Sequence, residues 1–147
     1  MAVEVLKGTA KSIEGMQVEC STRGHKFILD EPTDLGGTDK GMNPIEATLC
    51  ALGACKCIVA QCFAKAKGVK VEEIKIEVEG DLDPDGFLGK NKDAKIGLQN
   101  IRTKFYIKSD SPKEKIEEFV EFIDRTCPVA DSLQKPANCS TELVIED

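Results

Sequence analysis

Two kinds of hydrophobic pattern alternate along the chain, and they predict the order of its elements. Short runs of apolar and β-branched residues, bounded by turn residues, predict strands. The alternation is clearest from Ile74 to Glu79, where apolar and charged side chains take turns. Arg23 and Gly24 predict a two-residue hinge between two of the strands. The stretches predicted as strands are 3–13, 16–21, 25–30, 69–80, 94–108 and 141–146.

A long helix is predicted after the glycine-bearing loop 31–42. Asn43 fits the N-cap, Pro44 the first helical position, and Glu46 the third position after the cap, which together make a capping box. The helix is expected to run to about Lys67 and to end at Gly68. Its middle is apolar nearly all round, so it must be buried by its own sheet or by a partner chain.

A second helix and a short helical segment are predicted near the C-terminus. Ser111 and Pro112 repeat the helix-start signature, and an apolar stripe runs to about Thr126. Residues 127–134 form the short segment. Long runs of hairpin strands around few helices favour an α+β fold of antiparallel sheets around the central helix, and 147 residues favour a single domain, 1–147.

Composition narrows the range of partners. The net charge of -6 and the absence of a basic run argue against nucleic acid as a partner. The N-terminus lacks the apolar core of a signal peptide. The apolar stretch 47–64 contains Lys56 and Gln61 and is interpreted as a buried helix, not a membrane span. We therefore expect a soluble cytoplasmic protein with no membrane partner, whose thiols stay reduced.

Seven cysteines are the chain's most distinctive chemical feature. They lack a Cys-x-x-Cys pair, and the single histidine, His25, cannot complete a multi-histidine site, so we expect no metal and no cofactor. Free cysteine commonly packs as a small buried hydrophobe. We prefer that interpretation for Cys20, Cys50, Cys62 and Cys139; the role of Cys57 stays open.

Cys127 has a better local case for reactivity, whereas Cys55 lacks local activation. If Thr126 caps the short segment, Cys127 lies in its first turn, where a helix N-terminus lowers a thiol pKa. A buried cysteine at a proline-marked corner is an equally good interpretation. Cys55 lies three turns into its helix, so a reactive Cys55 requires a nearby cation. Arg23 is one candidate, although a solvated charge in a hairpin explains it as well.

At this point the chain resembles the OsmC/Ohr superfamily, and most closely its OsmC-like branch. The resemblance covers nearly the whole chain, and a cysteine twelve residues after the capping asparagine, with a distant Cys-Pro-Val, makes it specific. The positions that carry it are Arg23-Gly24-His25, Asp30-Glu31-Pro32, Gly36-Gly37, Asp39, Gly41, Asn43-Pro44, Glu46, 51–55 and Cys127-Pro128-Val129.

The resemblance implies a fold, an assembly and a mechanism. It implies a domain-swapped homodimer and a cofactor-free peroxidase that reduces organic hydroperoxides and H₂O₂. Cys55 matches the family's peroxidatic cysteine and Cys127 its resolving cysteine, with an external dithiol resetting the disulfide. Arg23 and Glu46 are further candidates for the catalytic site. In the hydroperoxide-resistance branch the glutamate directly follows Asn-Pro, where this chain has Ile45.

Two other functions remain open at this stage. A thiol-rich dimer that captures a metal or a small electrophile is suggested by the four cysteines of the central helix, although consecutive helical cysteines splay apart and coordinate poorly. A redox-inert dimer that uses the fold as a scaffold is the second, because a fold does not dictate a function.

Overall fold

The computed structural model describes residues 2–147, which form two compact units, 2–50 and 51–147. Helices and two antiparallel sheets confirm the predicted α+β class. The single domain 1–147 stays a prediction. The strands are β1 (Thr9–Ser12), β2 (Val18–Thr22), β3 (His25–Leu29), β4 (Glu73–Gly80) and β5 (Ile101–Lys108), and the helices are α1 (Pro44–Phe63), α2 (Pro84–Phe87), α3 (Lys113–Thr126) and α4 (Pro128–Gln134).

The first unit contains the predicted meander. Its strands lie in the order β1-β2-β3, all antiparallel. The hinge between β2 and β3 is confirmed: Arg23 (φ 49°) and Gly24 (φ 84°) both adopt left-handed backbone, and Thr22 pairs with His25. Two successive left-handed residues are what a tight two-residue hairpin requires. Arg23 is therefore fixed at the tip of this hairpin.

A buried carboxylate organises the loop between β3 and α1. Asp30 accepts the Thr38 hydroxyl at 2.6 Å and the Lys40 backbone N–H at 3.0 Å. These hydrogen bonds, that of Thr38 above all, lower the pKa of Asp30 to about 2, against the opposing effect of burial. A side chain at Gly37 would overlap the carbonyl oxygen of Glu31. The loop therefore holds one compact conformation ahead of the helix.

The central helix begins where the sequence predicts but ends four residues before the predicted Lys67. The backbone N–H of Asn43 donates to Glu46 Oε1 at 2.9 Å, and the Glu46 N–H donates to Asn43 Oδ1 at 2.8 Å, which confirms the capping box. The helix proper ends at Phe63, and a hydrogen-bonded turn continues it to Gly68, whose φ is +68°. The Val69 N–H donates to the Ala64 carbonyl at 2.9 Å, which closes a Schellman motif.

The second unit contains the β4–β5 hairpin, helices α2, α3 and α4, and the part of α1 from Ala51 onward. All eight residues of β4 pair with all eight of β5. The core lies between α1, α3 and this hairpin, where Phe119 and Ile123 are fully buried. Each such side chain contributes roughly 1.5–3 kcal/mol through its removal from water. Helix α2 lies between the predicted strands 69–80 and 94–108 and was not predicted. Asp83 caps it by accepting the Asp85 N–H at 3.0 Å.

Several predicted strands are longer than the observed ones because their partners run out. The ladder of β1 starts at Thr9, opposite Ser21, and β2 turns away two residues later, so 3–8 have nothing to pair with. Residues 94–100 are likewise outside the ladder, which begins at Ile101 opposite Gly80. The final strand, 141–146, is wrong: these residues are irregular, and Leu143, Val144 and Ile145 are exposed.

Two further predictions about the helices need correction. Ser111 does not cap α3: Pro112 is at the N-cap, and the Ser111 hydroxyl instead accepts the Lys70 N–H at 3.0 Å. Helix α1 is buried along one side only, and Ile58 is 62% exposed. It is also long and apolar enough, by length and composition alone, to cross a membrane. Its other side packs in the core with α3.

Candidate functional site

Cys55 lies at the junction of the two apolar clusters in the second unit. Its side chain, which is half-buried, packs against the cluster around Phe119 and against the one formed by Leu52, Cys127 and Ala130. Leu52 and Val59 lie three residues before and four residues after Cys55 and are buried. Residues at this spacing share one face of a helix, so Cys55 faces the core with them. Cys55 is thus held by packing on a rigid helix.

Cys127 is buried at the junction of α3 and α4, with 1% of its surface exposed. The expectation that Thr126 caps α4 is wrong, because Thr126 is the last residue of α3 and Cys127 itself is the N-cap. The backbone N–H of Ala130 donates to the Cys127 sulfur at 3.4 Å. Pro128, at the first position of α4, has no N–H to satisfy and fixes the turn.

The structure brings these two cysteines together. Cys55 packs against the apolar cluster that contains Cys127, and both Cys127 and the backbone N–H of Val129 lie close enough to the Cys55 thiol to shift its pKa. All seven cysteines are free thiols. Two neighbouring thiols, one on a rigid helix and one at a corner between helices, are an arrangement from which a disulfide can form.

Burial sets the acidity of Cys55. Removal from water raises the pKa of the Cys55 thiol above its ordinary value, and contact with Cys127 raises it further. The Val129 N–H and the positive charge of Lys56 act in the opposite direction but do not prevail. Within residues 51–147, Cys55 is therefore mostly protonated at neutral pH, and a thiolate would need a further cation.

Lys56 is a charged residue in the core that sequence reasoning did not single out. Its ammonium group is 2.6 Å from Asp124 Oδ1 on α3 and 5.7 Å from the centre of the Phe105 ring. Only 7% of the Lys56 side chain is exposed, whereas half of Asp124 is. In the sequence, its mark is a lone lysine inside an apolar helix, which interrupts the apolar pattern.

Arg23 and Glu46 belong to the first unit, where the structure gives each a local role. Arg23 is exposed at the β2–β3 hairpin tip, and Glu46 completes the capping box of α1. The other two arginines are engaged elsewhere. Arg102 is bound by Glu79 and Asp81, and Arg125 lies 5.7 Å from the Phe122 ring centre. The catalytic roles of Arg23 and Glu46 stay predictions.

The remaining cysteines are more accessible than expected. Cys50, Cys62 and Cys139 are exposed and Cys20 is half-buried, so the prediction that all four pack in the core is wrong for the described chain. Cys57 is half-buried, and burial raises its thiol pKa. A cavity of about 650 Å³ runs along the β4–β5 hairpin between Glu77 and Lys104, and neither Cys55 nor Cys127 lines it.

Fold and site together define an α+β protein with two neighbouring cysteines, one on the long central helix and one at the start of α4. The sequence model of the family described as OsmC-like protein matches residues 37–142. The chain belongs to this family, and the predicted resemblance is confirmed. Matches to two curated proteins span about two thirds of their length.

Those two relatives are both named hydroperoxide reductase. The protein from Mycoplasma genitalium is 30% identical over 99 residues, which are 67% of each chain. The protein from Mycoplasma pneumoniae is 30% identical over 97 residues, 66% of this chain and 65% of its own length.

Solved structures show the same fold over most of the chain. An OsmC-like protein from Mycoplasma pneumoniae has a TM-score of 0.80 at 25% identity, over 90% of this chain and 89% of that one. An organic hydroperoxide resistance protein from Elizabethkingia anophelis, at 17% identity, has a TM-score of 0.69 over 92% and 91%. The predicted OsmC-type fold is thereby confirmed.

Proposed function

We propose that this protein is a cysteine-based hydroperoxide reductase. The observation that carries the proposal is that Cys55 packs against the apolar cluster that contains Cys127. These are the two cysteines that the family resemblance selects. The two relatives named hydroperoxide reductase support the substrate class. We propose the cytoplasm as its compartment, where thiols stay reduced.

The first step consumes the peroxide at Cys55. The Cys55 thiolate attacks one oxygen of the O–O bond, and that bond breaks. The Cys55 sulfur bonds to the outer, hydrogen-bearing oxygen and becomes a sulfenic acid. The other oxygen leaves as an alkoxide, which takes up one proton to give the alcohol, or as hydroxide, which gives water when the substrate is H₂O₂. The sulfur loses two electrons and the peroxide gains them, so no cofactor is required.

The second and third steps return the protein to its dithiol form. The Cys127 thiol attacks the Cys55 sulfenic sulfur, the S–O bond breaks, and one water leaves as the Cys55–Cys127 disulfide forms. An external dithiol then reduces this disulfide by two thiol–disulfide exchanges and is itself oxidised to a disulfide. Because Cys55 already packs against the cluster that contains Cys127, the second step requires little movement.

Cys55 needs a cation that residues 51–147 do not supply in sufficient strength, and we propose that Arg23 provides it. Burial raises the Cys55 pKa, and the charge of Lys56 is shared with Asp124. We propose the active assembly to be a homodimer, which the exposed apolar side of α1 supports. Glu46 is proposed to orient the cation, in addition to its capping role.

Turnover of cumene hydroperoxide with dithiothreitol as reductant tests the proposal. The wild type is expected to turn over, and Cys55→Ser to lose essentially all activity because serine cannot form a sulfenate. Cys57→Ser is the matched control, since Cys57 is also half-buried on α1. Full activity in Cys55→Ser, or an equal loss in Cys57→Ser, would show that the mechanism is wrong.

A further inference from the structure

The ion pair between the buried Lys56 and the half-exposed Asp124 joins the same two segments that carry the cysteine pair. Lys56 follows Cys55 directly on α1, and Asp124 precedes Cys127 by three residues on the last turn of α3. Their charged atoms are 2.6 Å apart. These segments are thus joined by an ion pair and by the packing of Cys55 against the cluster that contains Cys127.

Because Lys56 is buried, losing this ion pair has a larger effect than losing a surface ion pair of the same unit. Lys56 is 7% exposed, whereas Lys113 and Glu117, which form a pair within α3, are 89% and 62% exposed. An exposed pair contributes little, because its partners can exchange for water. A buried lysine that loses its only carboxylate is left as an uncompensated charge, so its position depends on that carboxylate.

We infer that Lys56 and Asp124 are positioning residues for the thiol pair. Their ion pair fixes the end of α3 against α1, and thereby holds Cys127 in contact with Cys55. The inference rests on the proposed function for its biological meaning, but the geometry it concerns is measurable without any peroxide. Neither residue is assigned a contact with substrate.

Equilibrium with a redox buffer measures this positioning directly. In graded mixtures of oxidised and reduced dithiothreitol, the protein dithiol gives two electrons and two protons to the cyclic disulfide, and the products are the Cys55–Cys127 disulfide and reduced dithiothreitol. The equilibrium constant reports how well the two sulfurs are held together. The disulfide fraction is read by peptide mass spectrometry after acid quenching.

Four variants separate positioning from general stability. We expect Lys56→Met and Asp124→Asn each to shift the equilibrium about tenfold toward the dithiol, because a small loss of alignment costs at least this much in effective concentration. Lys56→Arg is expected to keep the equilibrium constant within about threefold of wild type, since its guanidinium can bind the same carboxylate. Lys67→Met is the matched control, because Lys67 lies over the Phe122 ring of α3 at 4.3 Å, away from Cys55.

The outcomes decide the inference either way. Equilibrium constants within about twofold of wild type in both Lys56→Met and Asp124→Asn, or a shift in only one of them, would overturn it. An equal shift in Lys67→Met would do the same. If Lys56→Met does not fold, Asp124→Asn carries the test, because Asp124 is half exposed. If the disulfide forms normally in the redox buffer but peroxide does not turn over, the proposed function fails and the positioning result stands.

Discussion

At the scale of single residues, the reactivity of Cys55 is a balance between burial and charge. Burial raises the pKa of its thiol, and the nearby Lys56 charge opposes this only weakly. The sequence indicated that Cys55 needs a cation, because it lies too far from the start of α1 to benefit from the helix dipole. It could not indicate Lys56, since only the fold brings Asp124 and the core around that ammonium group.

The pH dependence of Cys55 alkylation tests the proposed cation. A thiolate is the reactive species, so a cation moves the profile to lower pH and burial moves it to higher pH. We expect the wild-type midpoint below the ordinary value of about 8.5, and the midpoint of Arg23→Gln above it. Peptide-resolved mass spectrometry after pulses of iodoacetamide measures the rate at Cys55 alone.

A control for this profile is available on the neighbouring strand. Lys26 in β3 pairs with Glu19 across the sheet at 3.4 Å, and Lys26→Gln removes the same charge from the same unit. The Cys55 midpoint should not move in that variant. Superimposable profiles for wild type and Arg23→Gln would exclude Arg23 as the activating group.

At the scale of elements, the helix signals were the most readable part of the chain. The capping box and the glycine stop of α1 are local, because each uses residues within a few positions of one another. The strand ends were harder to predict, since a strand ends where its partner ends. Residues 141–146 have a strand-like pattern, yet among residues 2–147 they are in no ladder.

The capping box gives a prediction that separates the two roles of Glu46. Asn43→Ala removes the acceptor of the Glu46 N–H and should lower the free energy of unfolding by about 1 kcal/mol. Glu46→Gln keeps an oxygen that can accept the Asn43 N–H, so its stability should stay near wild type. Urea denaturation followed by circular dichroism measures both.

The same Glu46→Gln protein then reports on catalysis. If Glu46 orients the activating cation, hydroperoxide turnover falls although stability does not. Wild-type turnover in this variant would leave Glu46 as a capping residue only. A stability loss in Glu46→Gln as large as that in Asn43→Ala would contradict the capping argument.

At the scale of the whole molecule, the unburied apolar surface is the main feature that the sequence anticipated only in part. The apolar helix was expected to be covered on all sides, but Ile58, with Cys50 and Cys62, lies on an exposed side of α1. Large exposed apolar patches commonly mark an interface between proteins. A homodimer would cover this side and would reconcile the pattern with the structure.

The oligomeric state gives the corresponding prediction. We expect light scattering after size exclusion to give twice the chain mass for the wild type. Ile58→Asp should shift the protein to the single-chain mass, because it places a charge in an apolar interface. Lys65→Asp, at an exposed position just beyond α1, should remain dimeric. A wild-type protein of single-chain mass would contradict the proposed dimer.

The most direct test of the central claim is peptide mass spectrometry of the reduced protein after one equivalent of cumene hydroperoxide, quenched with acid and digested without reductant. The account predicts one dominant cross-linked product, a disulfide between Cys55 and Cys127, which dithiothreitol reverses. A disulfide that joins other cysteines, or an unchanged Cys55 while the peroxide is consumed, would contradict it.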